Sequence, residues 1–159
     1  MAKAANPVPA GYQTITPQIS LDNAAQTMEW YVKALGAKEV SRFAGPDGNI
    51  MHAELTIGNS RYIVNDVMQG QKGPKAYGGS PVSFWLYVND CDTLFNRAVS
   101  AGAKVQMKME DQFWGDRAGS LADPNGYTWW IATRKEDLTA DEMRRRADEY
   151  FKQMQPASR

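Results

Sequence analysis

The stretch "ALGAK", residues 34–38, recurs as "SAGAK", residues 100–104, and that pair decides the reading of the whole chain. Upstream of each copy lies a strand-like run ending in an acidic or amide turn, "TITPQISLDN" (14–23) and "PVSFWLYVND" (81–90). Asp22-Asn23 and Asn89-Asp90 then open helical patterns, because short acid and amide side chains accept from the free N–H groups of a first helical turn. The first helix is expected over "AAQTMEWYVKAL", with Ala24, Met28, Tyr31 and Leu35 on one stripe. The second is expected over "CDTLFNRAVSA", with Leu94, Ala98 and Ala101 on one stripe and Phe95 beside it. Gly36 and Gly102 stand where a C-terminal cap glycine belongs.

Three strand-like runs follow each helix. In the first half they are "KEVSRFA", "NIMHAELTI" and "SRYIVNDV", separated by the turns "GPDG" and "GNS". In the second they are "KVQMKME", "RAGSLA" and "YTWWIATR", with "DPNG" between the last two. Each half therefore reads β-α-β-β-β, and the fold class is α+β with two tandem modules. Their expected bounds are 12–67 and 81–135 of a single domain, joined by the linker "MQGQKGPKAYGGS" (68–80). Residues 1–11 read as a tail and 136–159 as a C-terminal helix and tail, the helix (139–154) having Met143, Ala147, Tyr150 and Met154 at helical spacing for packing on the body or on a second subunit.

Alternation assigns faces to the strands. Met51, Ala53, Leu55 and Ile57 oppose His52, Glu54 and Thr56; Val82, Phe84, Leu86 and Val88 oppose Ser83, Trp85 and Tyr87. A sheet with a helix on one side sends its apolar row there. The opposite face then carries Gln18, His52, Glu54, Ser83, Trp85 and Tyr87, and by the same parity Trp129 packs under the helices while Trp130 joins the polar and aromatic face. Such a face suits a ligand cavity better than a dry core.

Bulk composition excludes several classes. Eighteen basic side chains balance eighteen acidic ones, so nothing draws the chain to nucleic acid or to an anionic membrane. The cluster Arg144-Arg145-Arg146 has acids around it and reads as a solvated helix face. A single cysteine, Cys91, rules out an internal disulfide and a Cys-rich metal site. No apolar run is long enough to span a membrane, and "MAKAANPVPAGYQ" lacks a secretory apolar region, so a cytoplasmic location is expected.

The stretches "PVPAGYQTITPQIS", "EWYVKALGAKEV", "GPDGNIMHAELTIGNS", "FWGDRAGSLADPNGYTWWIATRKEDLT" and "DEMRRRADEYF" resemble the vicinal oxygen chelate superfamily, that is, the glyoxalase, bleomycin-resistance and extradiol dioxygenase fold, in its phosphonate-operon-type glyoxalase-like branch. The resemblance implies two βαβββ modules forming a curved half-barrel sheet around a cavity, commonly in a homodimer. It also implies metal ligands at four positions in the metal-dependent members, which fall here on Thr16, Val64, Ser83 and Trp130. None is a histidine or carboxylate, whereas a catalytic zinc or nickel needs about three good N or O donors. No metal site and no cofactor are therefore expected, the alternative being one divalent ion.

Three readings compete, the third being a partner-binding module that acts through the C-terminal helix (139–154). In the first the chain is a metal-free binding protein, holding a small, partly aromatic ligand in a cavity of a homodimer. Its contacts would come from Gln18, Ser83, Trp85, Tyr87, Trp114, Arg117 and Trp130. In the second it is an enzyme, a lyase, isomerase or dioxygenase, using a divalent metal or a His52/Glu54 acid–base pair. His52, the sole histidine, is also compatible with a simple polar role on a cavity wall. Asp116-Arg117 reads either as a structural pair or as a ligand contact, and the aromatic side chains either as a binding box or as filling.

Overall fold

The computed structural model describes residues 3–68 and 70–154. Two tandem βαβββ modules are present, each with its own four-stranded sheet. The first contains β1 (Gln18–Leu21), α1 (Ala24–Leu35), β2 (Lys38–Ala44), β3 (Ile50–Ile57) and β4 (Ser60–Asp66). The second contains β5 (Ser83–Tyr87), α2 (Cys91–Ser100), β6 (Lys104–Asp111), β7 (Asp116–Ala122) and β8 (Thr128–Arg134), and α3 (Ala140–Met154) follows. Strand orders are β1-β4-β3-β2 and β5-β8-β7-β6. In each sheet the first strand pairs parallel with the last and the remaining pairs are antiparallel. One compact unit comprises the chain up to Ser80 together with Pro124–Gly126; the other comprises Pro81–Asp123 and the chain from Tyr127 onward.

In the first unit α1 begins after Asn23, whose side-chain oxygen accepts from Gln26 N–H, and ends at Gly36. Gly36 takes φ 72°, a left-handed conformation that glycine adopts without steric penalty, and its N–H closes on the Tyr31 carbonyl. Ala24, Met28, Tyr31 and Leu35 are buried as the stripe requires. They meet Leu21, Ala53, Leu55, Tyr62 and Val64 from the sheet, with Tyr31 and Tyr62 edge to face at 6.1 Å. Alternation fails at the start of β3. Ile50 is buried and Met51 exposed, because the β2–β3 pairing shifts between Phe43 and Ala44 and turns the start of β3 over.

The turn Pro124–Gly126 serves the first unit through Asn125. Asn125 is buried, accepts from Asp22 N–H at 2.6 Å and donates to Thr27 Oγ1 at 2.7 Å. Its part in the "DPNG" turn is legible from sequence, but this long-range pairing is not.

In the second unit Asp90 caps α2 by accepting from Thr93 N–H at 3.0 Å. Cys91, Leu94, Phe95 and Ala98 are buried beside Leu121, Trp129 and Ile131. Gly119 lets α2 approach: a Cβ there would lie 2.8 Å from Phe95 Cε2 and 3.1 Å from the Lys108 backbone. Thr139 and Glu142 cap α3 reciprocally, Glu142 accepting from Thr139 N–H while Thr139 Oγ1 accepts from Glu142 N–H. Tyr150 and Phe151 lie with their ring centroids 5.0 and 6.1 Å from that of Phe113. Arg144, Arg145 and Arg146 pair with Asp141, Glu149 and Glu136, in keeping with a solvated face. No helix of the described residues is long and apolar enough to cross a membrane.

Candidate functional site

Corresponding rows run across the two sheets on the face turned away from the module's helix. In the first sheet the row is Gln18, Ile63, Glu54 and Ser41; in the second it is Trp85, Trp130, Ser120 and Met107. Partners across a sheet share a face, so each row is a line of neighbouring side chains. The repeat has kept the backbone plan and exchanged the chemistry, polar in one module and aromatic in the other.

Two hydrogen-bonded clusters stand on the polar face, on either side of Ile63. Gln18 Nε2 donates to Asn65 Oδ1 at 2.9 Å, and Asn65 Nδ2 donates to Ser20 Oγ at 3.1 Å and to the Asp66 carbonyl at 2.7 Å. Glu54 is mostly buried and ion-paired with Arg61, whose guanidinium carbon sits 4.8 Å from the centroid of the Tyr12 ring. Gln13 fastens the same N-terminal segment, donating to the Asn59 carbonyl at 2.7 Å. His52 is about half exposed, its Nε2 lying 3.4 Å from Glu54 Oε1. The Tyr12 hydroxyl bonded to Glu54, with further help from His52 and Arg61, holds the Glu54 carboxyl below its ordinary range. Tyr12 is raised in turn by that hydrogen bond.

This clasp sets a pH dependence. Because the folded-state pKa of Glu54 is depressed, its contribution is present above the ordinary carboxylate range and is lost as pH falls through the lowered value. Glu54→Gln is expected to cost about 1–2 kcal/mol at neutral pH, since Arg61 keeps its charge without the counter-ion. The difference from the parent should shrink toward acid. Urea denaturation of both proteins at neutral and acid pH checks this; a difference that grows toward acid would contradict it.

The aromatic row is a tier of rings. Trp85 and Trp130 stack at 4.7 Å between centroids with 3° between planes, and Tyr87 continues the tier beside Trp85 at 6.1 Å and 24°. Large parts of Trp85 and Tyr87 are exposed. Asp116, only 6% exposed, orders the end of the tier by accepting from Tyr87 Oη at 2.9 Å and from Trp114 Nε1 at 3.1 Å, both on Oδ2. That bond and burial raise the Tyr87 hydroxyl above its ordinary value. Trp129, by contrast, faces the helix side, 4.7 Å from Phe84, with Nε1 donating to Asp123 at 3.0 Å.

The expected contacts are thus divided. Trp130, Trp85 and Tyr87 form the tier in the second unit, Tyr87 and Trp114 are bonded to Asp116, and Ser83 begins the same face of β5 opposite Thr128. Gln18, His52 and Glu54 stand on the polar face of the first unit. Arg117 does not join the tier. It follows Asp116 on β7 and so points to the other face, where Asp92 on α2 takes it bidentately at 2.7 and 2.8 Å and Asp111 at 3.2 Å. A cleft of about 250 Å³ in the first unit, lined by Ile50, Met51, Asp66 and Met68 among others, includes none of the expected site residues.

The four metal-ligand positions implied by the resemblance do not fit a metal. The Thr16 hydroxyl donates to the Gln13 carbonyl at 3.0 Å, Ser83 is a hydroxyl, and Trp130 is in the stack. Val64 proves to be a fully buried core residue, and the β4 position opposite Gln18 is Ile63, which offers no donor either. Among the described residues no group of three or more His, Cys, Asp or Glu side chains is placed to hold an ion.

Comparison with known proteins agrees with the fold. The uncharacterized protein Rv0887c of Mycobacterium tuberculosis is 41% identical over 134 residues, 81% of this chain and 79% of that protein. TioX from Micromonospora sp. ML1 superposes with a TM-score of 0.61 at 23% identity, covering 80% of this chain and 100% of TioX. TnmS3, an antibiotic binding protein from Streptomyces sp. CB03234, gives 0.58 at 14% identity, covering 78% and 100%. Both likenesses concern the fold alone. The family model for the Glyoxalase/Bleomycin resistance protein/Dioxygenase superfamily matches residues 15–131, and the chain belongs to that superfamily.

Proposed function

We propose that this chain is a metal-free binding protein that holds a small, partly aromatic molecule against the Trp130–Trp85–Tyr87 tier and works as a homodimer. The tier carries the reading. Three near-parallel rings stand on the sheet face away from α2, Trp85 and Tyr87 exposed and Trp130 partly so, with Tyr87 fixed by Asp116. Each ring stacked on such a surface adds about 0.5–1.5 kcal/mol beyond the area it buries. The donor-free ligand positions support a role without a metal, and the antibiotic-binding neighbour supports a sequestering role. For the dimer, the edge strands β2 and β6 leave Val40, Phe43, Val105 and Met107 exposed.

The test is a titration of protein purified without chelator, with acridine as the ligand and tryptophan emission as the readout. Saturable energy transfer, with no stoichiometric first-row metal by elemental analysis and a dimer by sedimentation, is the expected result. A stoichiometric bound metal, or no saturable transfer, would overturn the proposal.

A further inference from the structure

Asp116 poses a question that the aromatic tier alone does not answer. A carboxylate taken out of water normally has a cationic partner, because uncompensated charge is poorly solvated by the interior. Here the carboxylate is 6% exposed, and the side chains bonded to it are two neutral donors, the Tyr87 hydroxyl and the Trp114 indole. Among the described residues Asp116 makes no ion pair. Arg134 stands opposite it in the β7–β8 pairing, yet its guanidinium is bound to Asp137 at 2.8 Å and is mostly in solvent. The neighbouring Arg117 is turned to the other face and taken by Asp92 and Asp111. Both arginines are thus paired with other carboxylates, and although Arg134 acts electrostatically on Tyr87 from the same face, Asp116 is the carboxylate bonded directly to the tier.

That field acts where it matters to a ligand. Asp116 polarises the Tyr87 hydroxyl, and Tyr87 is the outer ring of a tier whose other members are indoles, the side chains with the most attractive faces for a cation. Negative ring faces and a buried carboxylate reinforce one another at the same end of the site. A neutral planar molecule gains only the stacking. A planar molecule carrying a delocalised positive charge gains the stacking, the cation–π attraction and the attraction of the carboxylate.

We propose that the ligand of this site is a planar cation, selected over its neutral analogue by the Asp116 carboxylate at the end of the Trp130–Trp85–Tyr87 tier. This rests on the binding function proposed above. Asp116 acts as a specificity determinant, supplying charge to a surface whose shape the rings provide.

The experiment compares N-methylacridinium with acridine in mildly alkaline buffer, where acridine is neutral and the two are close in shape. The readout is the ratio of their affinities by tryptophan energy transfer. In the parent protein the cation should bind at least about tenfold more tightly. In Asp116→Asn the amide oxygen can still accept from Tyr87 and Trp114 while the charge is gone, so the ratio should fall, leaving only the preference that the ring faces give the cation. Equal affinities in the parent protein overturn the inference and leave the aromatic platform standing. A ratio unchanged in Asp116→Asn overturns it as well. If neither probe binds, the platform reading falls and this one with it. Should Asp116→Asn fail to fold, Asp116→Ser, whose hydroxyl can also accept while the charge is gone, is read by the same ratio, and an unchanged ratio refutes the role of Asp116.

Discussion

Trp129→Ala is expected to lower the unfolding free energy by about 3–5 kcal/mol, the range for removing a large aromatic from a packed core. Trp129 is 3% exposed, packs on Phe84 and gives its indole N–H to the buried Asp123 carboxylate. Truncation opens a cavity under α2 and takes a donor from Asp123, whose desolvation is then less well compensated. A protein of this size is held by about 5–15 kcal/mol, so the loss is a large share of the whole. Urea denaturation should show the midpoint falling with the slope unchanged. A loss below about 1 kcal/mol would mean that the site collapses around the missing ring, which the close packing does not favour.

Trp85→Ala is expected to act in the other direction: modest in stability, large in binding. Trp85 stacks on Trp130 on one side and neighbours Tyr87 on the other, with 42% of its surface open to solvent. Removing it breaks the tier in the middle and separates the two remaining rings. The loss of stacking and of the buried area predicts an acridine affinity about tenfold to a hundredfold weaker. Energy-transfer titration checks the affinity and urea denaturation the fold. Unchanged affinity in a well-folded variant would remove the tier from the binding surface.

These two variants rest on features of different legibility. The opposite orientations of Trp129 and Trp130 follow from alternation alone, because a strand has a period of two and both residues lie in the regular part of β8. The bounds of α1 were equally legible, since an amide precedes its stripe and a glycine follows it. Met51 and Val64 were not. The first lies beside a register shift in β2–β3, and the second lies on a strand where an offset of one residue exchanges the faces. In "GDRAG" the sequence offers Asp116 and Arg117 side by side and gives no means to choose between them. The choice is made by Asp92 on α2, which captures the arginine, and by Tyr87 and Trp114, which converge on the aspartate. The clasp of Tyr12 over Arg61 and Glu54 was equally hidden, because it joins the chain's beginning to a hairpin far along the sequence.

The turn that carries Asn125 has a meaning for the chain's ancestry. A protein built by doubling one module should in principle divide again at the joint between the copies. Here one partner crosses the joint: the N–H of Asp22 is satisfied by a residue that the second copy encodes. The first copy on its own would leave that N–H to water and Thr27 Oγ1 without its Asn125 donor. The boundary between the two repeats in the sequence is therefore not the boundary between the two compact units.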